Sequence, residues 1–241
     1  LVNGIPNLTT DLFSLHYNSK NQSMLPSIFN TVFITFLTLL IAVPIGIFSA
    51  VYLVEYAKKG SKLVKVIRVT TETLAGIPSI VFGLFGFLAF VIALGWGYSM
   101  IAGVLTLVMM VLPTIIRTTE EALLAVPNSY REGSFGLGAG KIRTIFKIIV
   151  PTAIPGILSG VILAIGRIVG ETAALIYTSG TVAETATSLT DSARTLSVHL
   201  YCLLSEGLFT NQAYATAVIL LLLVVGINAL SNFIAKKLAK K

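Results

Sequence analysis

Five stretches of this chain, at about residues 32–54, 73–94, 100–116, 155–177 and 214–234, are almost wholly apolar. Each is near the roughly 20 residues that an α-helix needs to cross a ~30 Å hydrocarbon core. Inside that core every backbone N–H and C=O must be bonded within its own segment. The fold class that follows is an all-α membrane protein, a polytopic helical bundle. Composition points the same way, with 55% hydrophobic and 11% charged residues, where an ordinary soluble domain carries about 25% charged. The net charge of +7 is no nucleic-acid footprint, because the basic residues form short clusters beside the apolar runs.

Those clusters set the topology, since loops rich in lysine and arginine stay in the cytoplasm. Lys58, Lys59, Lys62, Lys65 and Arg68 follow the first span; Arg117, Arg131, Lys141, Arg143 and Lys147 lie between the third and fourth; Lys236, Lys237, Lys240 and Lys241 end the chain. Lys20 and Arg194 fall in the opposite compartment and Arg167 falls inside a span. Residues 1–30 and 180–212 are therefore expected outside, around a membrane domain of residues 31–235, with the insert 117–151 and the tail 236–241 in the cytoplasm. The start at Leu1, in polar sequence without an apolar signal core, reads as a chain lacking a native N-terminal helix. One cysteine, Cys202, and two isolated histidines, His16 and His199, give no disulfide and no metal spacing. No internal repeat appears, which argues against inverted-repeat carriers.

The insert has its own pattern. Thr118 or Thr119 followed by Glu120 and Glu121 reads as a helix N-terminus, and Pro127 with Asn128 as its stop. Gly136, Gly138 and Gly140 then permit a turn into an amphipathic helix over residues 141–149, giving two short helices at right angles. Such an element either docks in a groove of a cytoplasmic partner or rests on anionic membrane lipid. The spacing of Glu132-Gly133-Ser134, Gly138 and Ile148-Ile149-Val150-Pro151 resembles the cytoplasmic loop of bacterial ABC importer permeases of the MetI-like type. That loop reads Glu-Ala-Ala, three residues, Gly, nine residues, Ile-x-Leu-Pro. The resemblance implies that Glu121, Arg131, Glu132, Gly138 and Pro151 couple the chain to an ATPase. No Gly-x-x-x-x-Gly-Lys-Ser/Thr loop occurs, so the chain is expected to hold no cofactor, to be no enzyme itself, and to leave ATP and Mg to partner subunits.

Charge inside the fourth span is the other marked feature. A helix starting at Pro155 places Arg167 about 18 Å along it, near mid-membrane, where insertion costs roughly 2.5–3.5 kcal/mol. Glu171 is four residues on and so expected on the same face. Two readings stand. Arg167 and Glu171 form a self-neutralising pair that fixes packing, aided by Gly156, Gly160, Gly166 and Gly170. Alternatively Arg167, Glu171 and Thr172, with Thr178 and Ser179 further along, make a transient anion site, because a guanidinium matches the oxygens of phosphate. Glu72, four residues after Arg68, reads as an interfacial partner, and the apolar run 195–204 is too short to span, so it lies at the interface or re-enters.

Longer strings narrow the resemblance. Asn30-Thr31, Ala42-Val43-Pro44-Ile45-Gly46, Ala50-Val51-Tyr52-Leu53-Val54-Glu55-Tyr56, Glu72-Thr73-Leu74-Ala75-Gly76-Ile77-Pro78-Ser79, Gly166-Arg167 through Gly170-Glu171-Thr172-Ala173 and Ala174-Leu175-Ile176-Tyr177-Thr178-Ser179-Gly180 are similar to the PstA-type permeases of bacterial phosphate importers. The resemblance implies a heterodimer with a PstC-type permease, two PstB-type ATPases and an external phosphate-binding protein, with no nucleic acid involved. It implies phosphate translocation by alternating access. Two rivals stay open, a permease for another oxyanion such as molybdate or sulfate, and a channel or carrier that needs no ATPase.

Overall fold

The computed structural model describes residues 4–14, 17–18, 21–58 and 60–239, with side chains as far as residue 233. His16, Lys20, Lys59, Lys240 and Lys241 lie outside the described residues, as do the side chains of Lys236 and Lys237. The described chain is helical: α1 (Leu25–Val51), α2 (Lys62–Ala75), α3 (Ser79–Gly86), α4 (Met100–Leu124), α5 (Asn128–Gly136), α6 (Lys141–Thr144), α7 (Val150–Val169), α8 (Ala173–Thr178), α9 (Leu196–Glu206) and α10 (Thr210–Ala239). Three π-helical segments, Tyr52–Tyr56, Phe87–Ala93 and Ile145–Ile149, prolong α1 and α3 and lead into α7.

Among the described residues, four helical runs are long and apolar enough to cross a membrane: Leu25–Tyr56, Met100–Leu124, Lys141–Val169 and Thr210–Phe233. A fifth arises only if Lys62–Ala75 and Ser79–Ala93 are taken together. The second expected span is therefore a broken one. Pro78 is the cause, because its ring pushes Ile77 out of helical backbone, and Pro78 itself caps α3 with ψ at 140°.

The insert differs from its expectation in two ways. No helix begins at Thr118 or Thr119, for α4 runs unbroken to Leu124. The Thr118 hydroxyl donates back to the Thr114 carbonyl at 2.9 Å, so it serves the helix interior, where it slightly disfavours but does not stop the helix. Nor is 141–149 a separate helix, since α6, the π segment and α7 form one run from Lys141 to Val169. One short helix, α5, is left between two long ones.

Contacts divide the chain into two compact units. The first comprises Leu1–Leu40, Ile77–Met110 and Ile165–Asn228. Within it α3 lies against α8 at Gly83, where a Cβ would stand 2.7 Å from the Ala174 Cα. A Cβ on Gly103 would stand 2.9 Å from the Ser179 Cβ, the close approach that small residues permit between membrane helices. The 195–204 run becomes α9, with Leu196, Val198 and Leu203 buried, and Leu196 joins Leu12, Met24 and Ala215 in an apolar cluster.

The second unit comprises Ile41–Gly76, Val111–Ala164 and Ala229–Lys241. Its core gathers Ala50, Val51, Leu123, Val126, Ile145, Ile149, Ala153 and Ile157. Leu53, Val64 and Ile116 form a smaller cluster beside the start of α2.

Candidate functional site

In the second unit, the sequence around α5 builds a seated helix with an exposed face. Pro127 caps it with extended backbone, ψ 142°, and Gly138 ends the turn after it at φ +80°, a conformation that costs a residue with a Cβ. The seat is polar. Ser134 and Thr144, both buried, share a hydroxyl hydrogen bond of 2.8 Å that ties α5 to α6. At the other end Arg131 donates from Nε and Nη2 to Glu55 Oε1, at 3.0 and 2.7 Å. The Lys141 ammonium lies 4.7 Å from the centre of the Tyr56 ring. What α5 leaves exposed is Tyr130, Glu132, Phe135 and, just beyond it, Leu137, which is 91% exposed.

The expected coupling residues thus part ways. Glu132 and Gly138 are on the exposed side of the insert, and Pro151 is exposed in the first turn of α7. Arg131 points into the seat. Glu121 is on α4, where its carboxylate accepts from Arg117 Nε at 3.1 Å. It joins a charge network in which Arg68 pairs with Glu120 and Arg117 also reaches Glu72 at 3.7 Å. Glu72 pairs across to α4 rather than with Arg68 four residues before it. Arg68, Glu72, Arg117, Glu120 and Glu121 line one cavity with Thr71 and Leu124.

In the first unit the pairing of Arg167 with Glu171 does not form. The fourth span ends at Val169, with Gly170 in a turn, and α8 starts only at Ala173. Glu171 has left the helix, so the four-residue rule no longer puts it on the face of Arg167. Its carboxylate instead accepts the Ala174 N–H at 3.0 Å and caps α8, while its carbonyl accepts the Ser197 hydroxyl at 2.6 Å. Glu171 is buried. Arg167, half-buried in the last turn of α7, forms no ion pair among the described residues, although a cation there complements the negative end of the helix. Thr172 lies in the break, half-buried. Thr178 and Ser179 are spent locally, donating to the carbonyls of Ala174 and Ala193 at 2.8 and 2.6 Å.

A polar cap built from residues 181–199 meets this break at Ser197. Asn30 on α1 donates to the carbonyls of Glu184 and Arg194 at 2.9 and 3.2 Å. The Thr31 hydroxyl accepts the Leu196 N–H at 2.8 Å, at the start of α9. The first amides of α4, Met100 and Ile101, donate to the carbonyls of Asp191 and Leu189 at 2.8 and 2.9 Å. Buried Arg194 donates from Nε to the Thr181 carbonyl at 2.7 Å and stands 3.3 Å from His199 Nδ1. Its guanidinium lies over the Tyr17 ring. Burial, and then the Arg194 charge, lower the His199 pKa to about 4, so the ring is neutral and Nδ1 accepts.

The family described as binding-protein-dependent transport system inner membrane component matches residues 42–241. The chain belongs to this family. It is the permease component of an ABC importer, a multi-pass inner-membrane protein and not the catalytic subunit. The probable ABC transporter permease protein YqgI of Bacillus subtilis is 32% identical over all of this chain and 88% of its own length. Phosphate transport system permease protein PstA 1 of Mycobacterium tuberculosis is 45% identical over 58% of this chain, a match that spans only 45% of that relative. PstA of Mycobacterium leprae is 38% identical over 78% of this chain and 62% of the relative. Among solved structures, a bacterial alginate ABC transporter in complex with its alginate-bound periplasmic protein aligns with 99% of this chain at TM-score 0.72 and 16% identity. The MetNI methionine transporter, in an inward-facing conformation, aligns with 89% at TM-score 0.68 and 20% identity. At such identities the likeness is one of fold.

Sequence reading gave no site role to Glu55, Asn30 or Arg194 and did not foresee the Ser134–Thr144 bond. Glu55 carried a weak signal, a carboxylate three residues before Lys58 at the end of an apolar run. That position reads as interfacial until its partner, 76 residues away, is known.

Proposed function

We propose that this permease carries inorganic phosphate into the cell, in a complex with a second permease, two cytoplasmic ATPases that use ATP and Mg, and an external phosphate-binding protein. The observation that carries the substrate is the repeated likeness to PstA-named permeases at 38–45% identity. Arg167 supports it chemically. A half-buried guanidinium at a helix break, without a carboxylate partner among the described residues, offers planar donors to a tetrahedral oxyanion. Thr172 is two residues past the end of that helix and supplies a hydroxyl. Glu171, as a cap, holds the break open and keeps its charge near the path, so the anion is bound weakly enough to leave.

The insert faces the cytoplasm in this reading, consistent with its basic flanks. The exposed Tyr130, Glu132, Phe135 and Leu137 surface seats in the ATPase. ATP binding draws the two ATPases together, and α5 passes that movement to the long helices it is fixed to. The test is uptake of labelled phosphate at micromolar concentration in cells lacking the gene, with and without the full-length gene restored. Restored uptake that resists molybdate and sulfate supports phosphate. Loss of another oxyanion's uptake with phosphate unaffected retains the permease and discards the substrate.

A further inference from the structure

One guanidinium gathers three helices at the base of the second unit. Arg131, in the first turn of α5, gives Nε and Nη2 to Glu55 Oε1. It also gives Nη1 to the Val126 carbonyl at 2.9 Å and Nη2 to the Leu123 carbonyl at 3.0 Å. Those carbonyls lie at the end of α4, where backbone acceptors run out of helical donors. A longer 3.4 Å contact to Asn128 Oδ1 completes the set. Glu55 sits in the π segment that prolongs α1, a distortion found often at functional positions. The ends of α1 and α4 and the start of α5 therefore meet at one side chain.

The pair is poorly exposed, with 16% of the Arg131 side chain and 10% of the Glu55 side chain accessible. No second cation lies within ion-pair distance of Glu55 among the described residues. Such a pair adds little net stability over an apolar replacement, because desolvating both charges offsets their attraction. What it supplies is direction and register. The fork of an arginine fixes an angle as well as a distance, and a lysine in its place gives a single point charge. Ser134 and Thr144 hold the far end of α5 by one neutral hydrogen bond, so the charged end is the stiffer joint.

We propose that the Glu55–Arg131 pair is the joint through which movement of α5 reaches α1 and α4, with Glu55 a positioning residue for coupling. The proposal rests on the reading of α5 as the ATPase contact. Arg131 then acts behind the docking surface and not on it.

The test uses the whole transporter in proteoliposomes, carrying Glu55→Gln, Arg131→Lys or, on the exposed face, Leu137→Asp. ATPase retained on the purified permease, ATP hydrolysed, and labelled phosphate accumulated are read on the same preparations, with molybdate or sulfate substituted should the unaltered transporter import one of those instead. Glu55→Gln and Arg131→Lys are expected to keep the ATPase within about twofold and to lower anion imported per ATP hydrolysed at least tenfold. A fold defect alone lowers the amount of complex and leaves that ratio unchanged. Leu137→Asp is expected to shed the ATPase. A ratio unchanged in both pair variants overturns the joint, as does loss of the ATPase in those variants equal to that in Leu137→Asp. Full ATPase retention in Leu137→Asp overturns the docking reading itself. Should Glu55→Gln not assemble, Glu55→Asp keeps the charge, shortens its reach by one methylene, and is read against the same ratio.

Discussion

Asn30 Oδ1 accepts the backbone N–H of Ala186 at 3.0 Å across 156 residues of chain. With the two bonds from its Nδ2, one amide on α1 pins three points of the polar cap. Replacing it with alanine strands one donor and two acceptors in a place where Asn30 itself is 1% exposed. Since an unsatisfied buried group costs about 1–3 kcal/mol, Asn30→Ala is expected to lower the thermal midpoint of the purified chain in detergent by several degrees. Asn30→Asp, which keeps the acceptor and loses both donors, should fall on the same side. A midpoint unchanged in both would show that the cap does not depend on this residue.

His199 makes the cap acid-sensitive. Its pKa is lowered from the ordinary histidine value to about 4, so at intermediate pH the unfolded chain binds a proton that the folded one refuses. The contribution of His199 to stability therefore falls as pH drops from about 6.5 toward 4 and is level below that, by on the order of 3 kcal/mol in all. His199→Gln should flatten the dependence of the midpoint across that window. An equally steep profile in the variant would place the acid sensitivity elsewhere.

Glu171 has two separable roles. As a cap its carboxylate accepts one backbone N–H, a role that glutamine keeps and alanine loses at about 1 kcal/mol. Glu171→Ala should therefore be the less stable variant and Glu171→Gln near the original. Transport discriminates the charge. Arg167→Gln is expected to abolish uptake and Glu171→Gln to slow it, and full uptake in Glu171→Gln would remove any role for the carboxylate charge in releasing the anion.

Gly83 has no room for a methyl group. Its Cβ would meet the Ala174 backbone at 2.7 Å, and backbone does not rotate aside as a side chain does. Gly83→Ala is expected to cost about 1–3 kcal/mol by overpacking, read as a lower denaturation midpoint, whereas Gly133→Ala, inside α5 with nothing near its Cβ position, should leave the midpoint unchanged or raise it, by up to about 1 kcal/mol.

Hydropathy located the spans, because a long apolar run has few other fates, and the motif spacing located the insert. Helix ends were another matter. Residues 155–177 read as one apolar span, but hydropathy does not register that Gly170 turns and that Glu171 spends its carboxylate on a new helix. At Thr118 the opposite error arose, since threonine and glutamate serve both a helix start and a helix interior. Arg131 was expected among the coupling residues, but nothing in the sequence paired it with Glu55. Which way it faces is decided by Glu55, and no local pattern connects residues so far apart.

The three π segments have a consequence for chain length. A π turn holds one residue more than the helix around it requires, so it is the place where a residue can be gained or lost without breaking the hydrogen-bonded run. Deleting one position within Ile145–Ile149 would let that stretch wind as ordinary α-helix. The phase of Lys141–Thr144 would be kept, because the π turn has absorbed the extra residue, and Thr144 would still face Ser134. Length differences among related chains that preserve the phase on either side should therefore concentrate in Tyr52–Tyr56, Phe87–Ala93 and Ile145–Ile149, and a relative lacking the extra residue near 145 should keep a matched pair of side chains where Ser134 and Thr144 now meet.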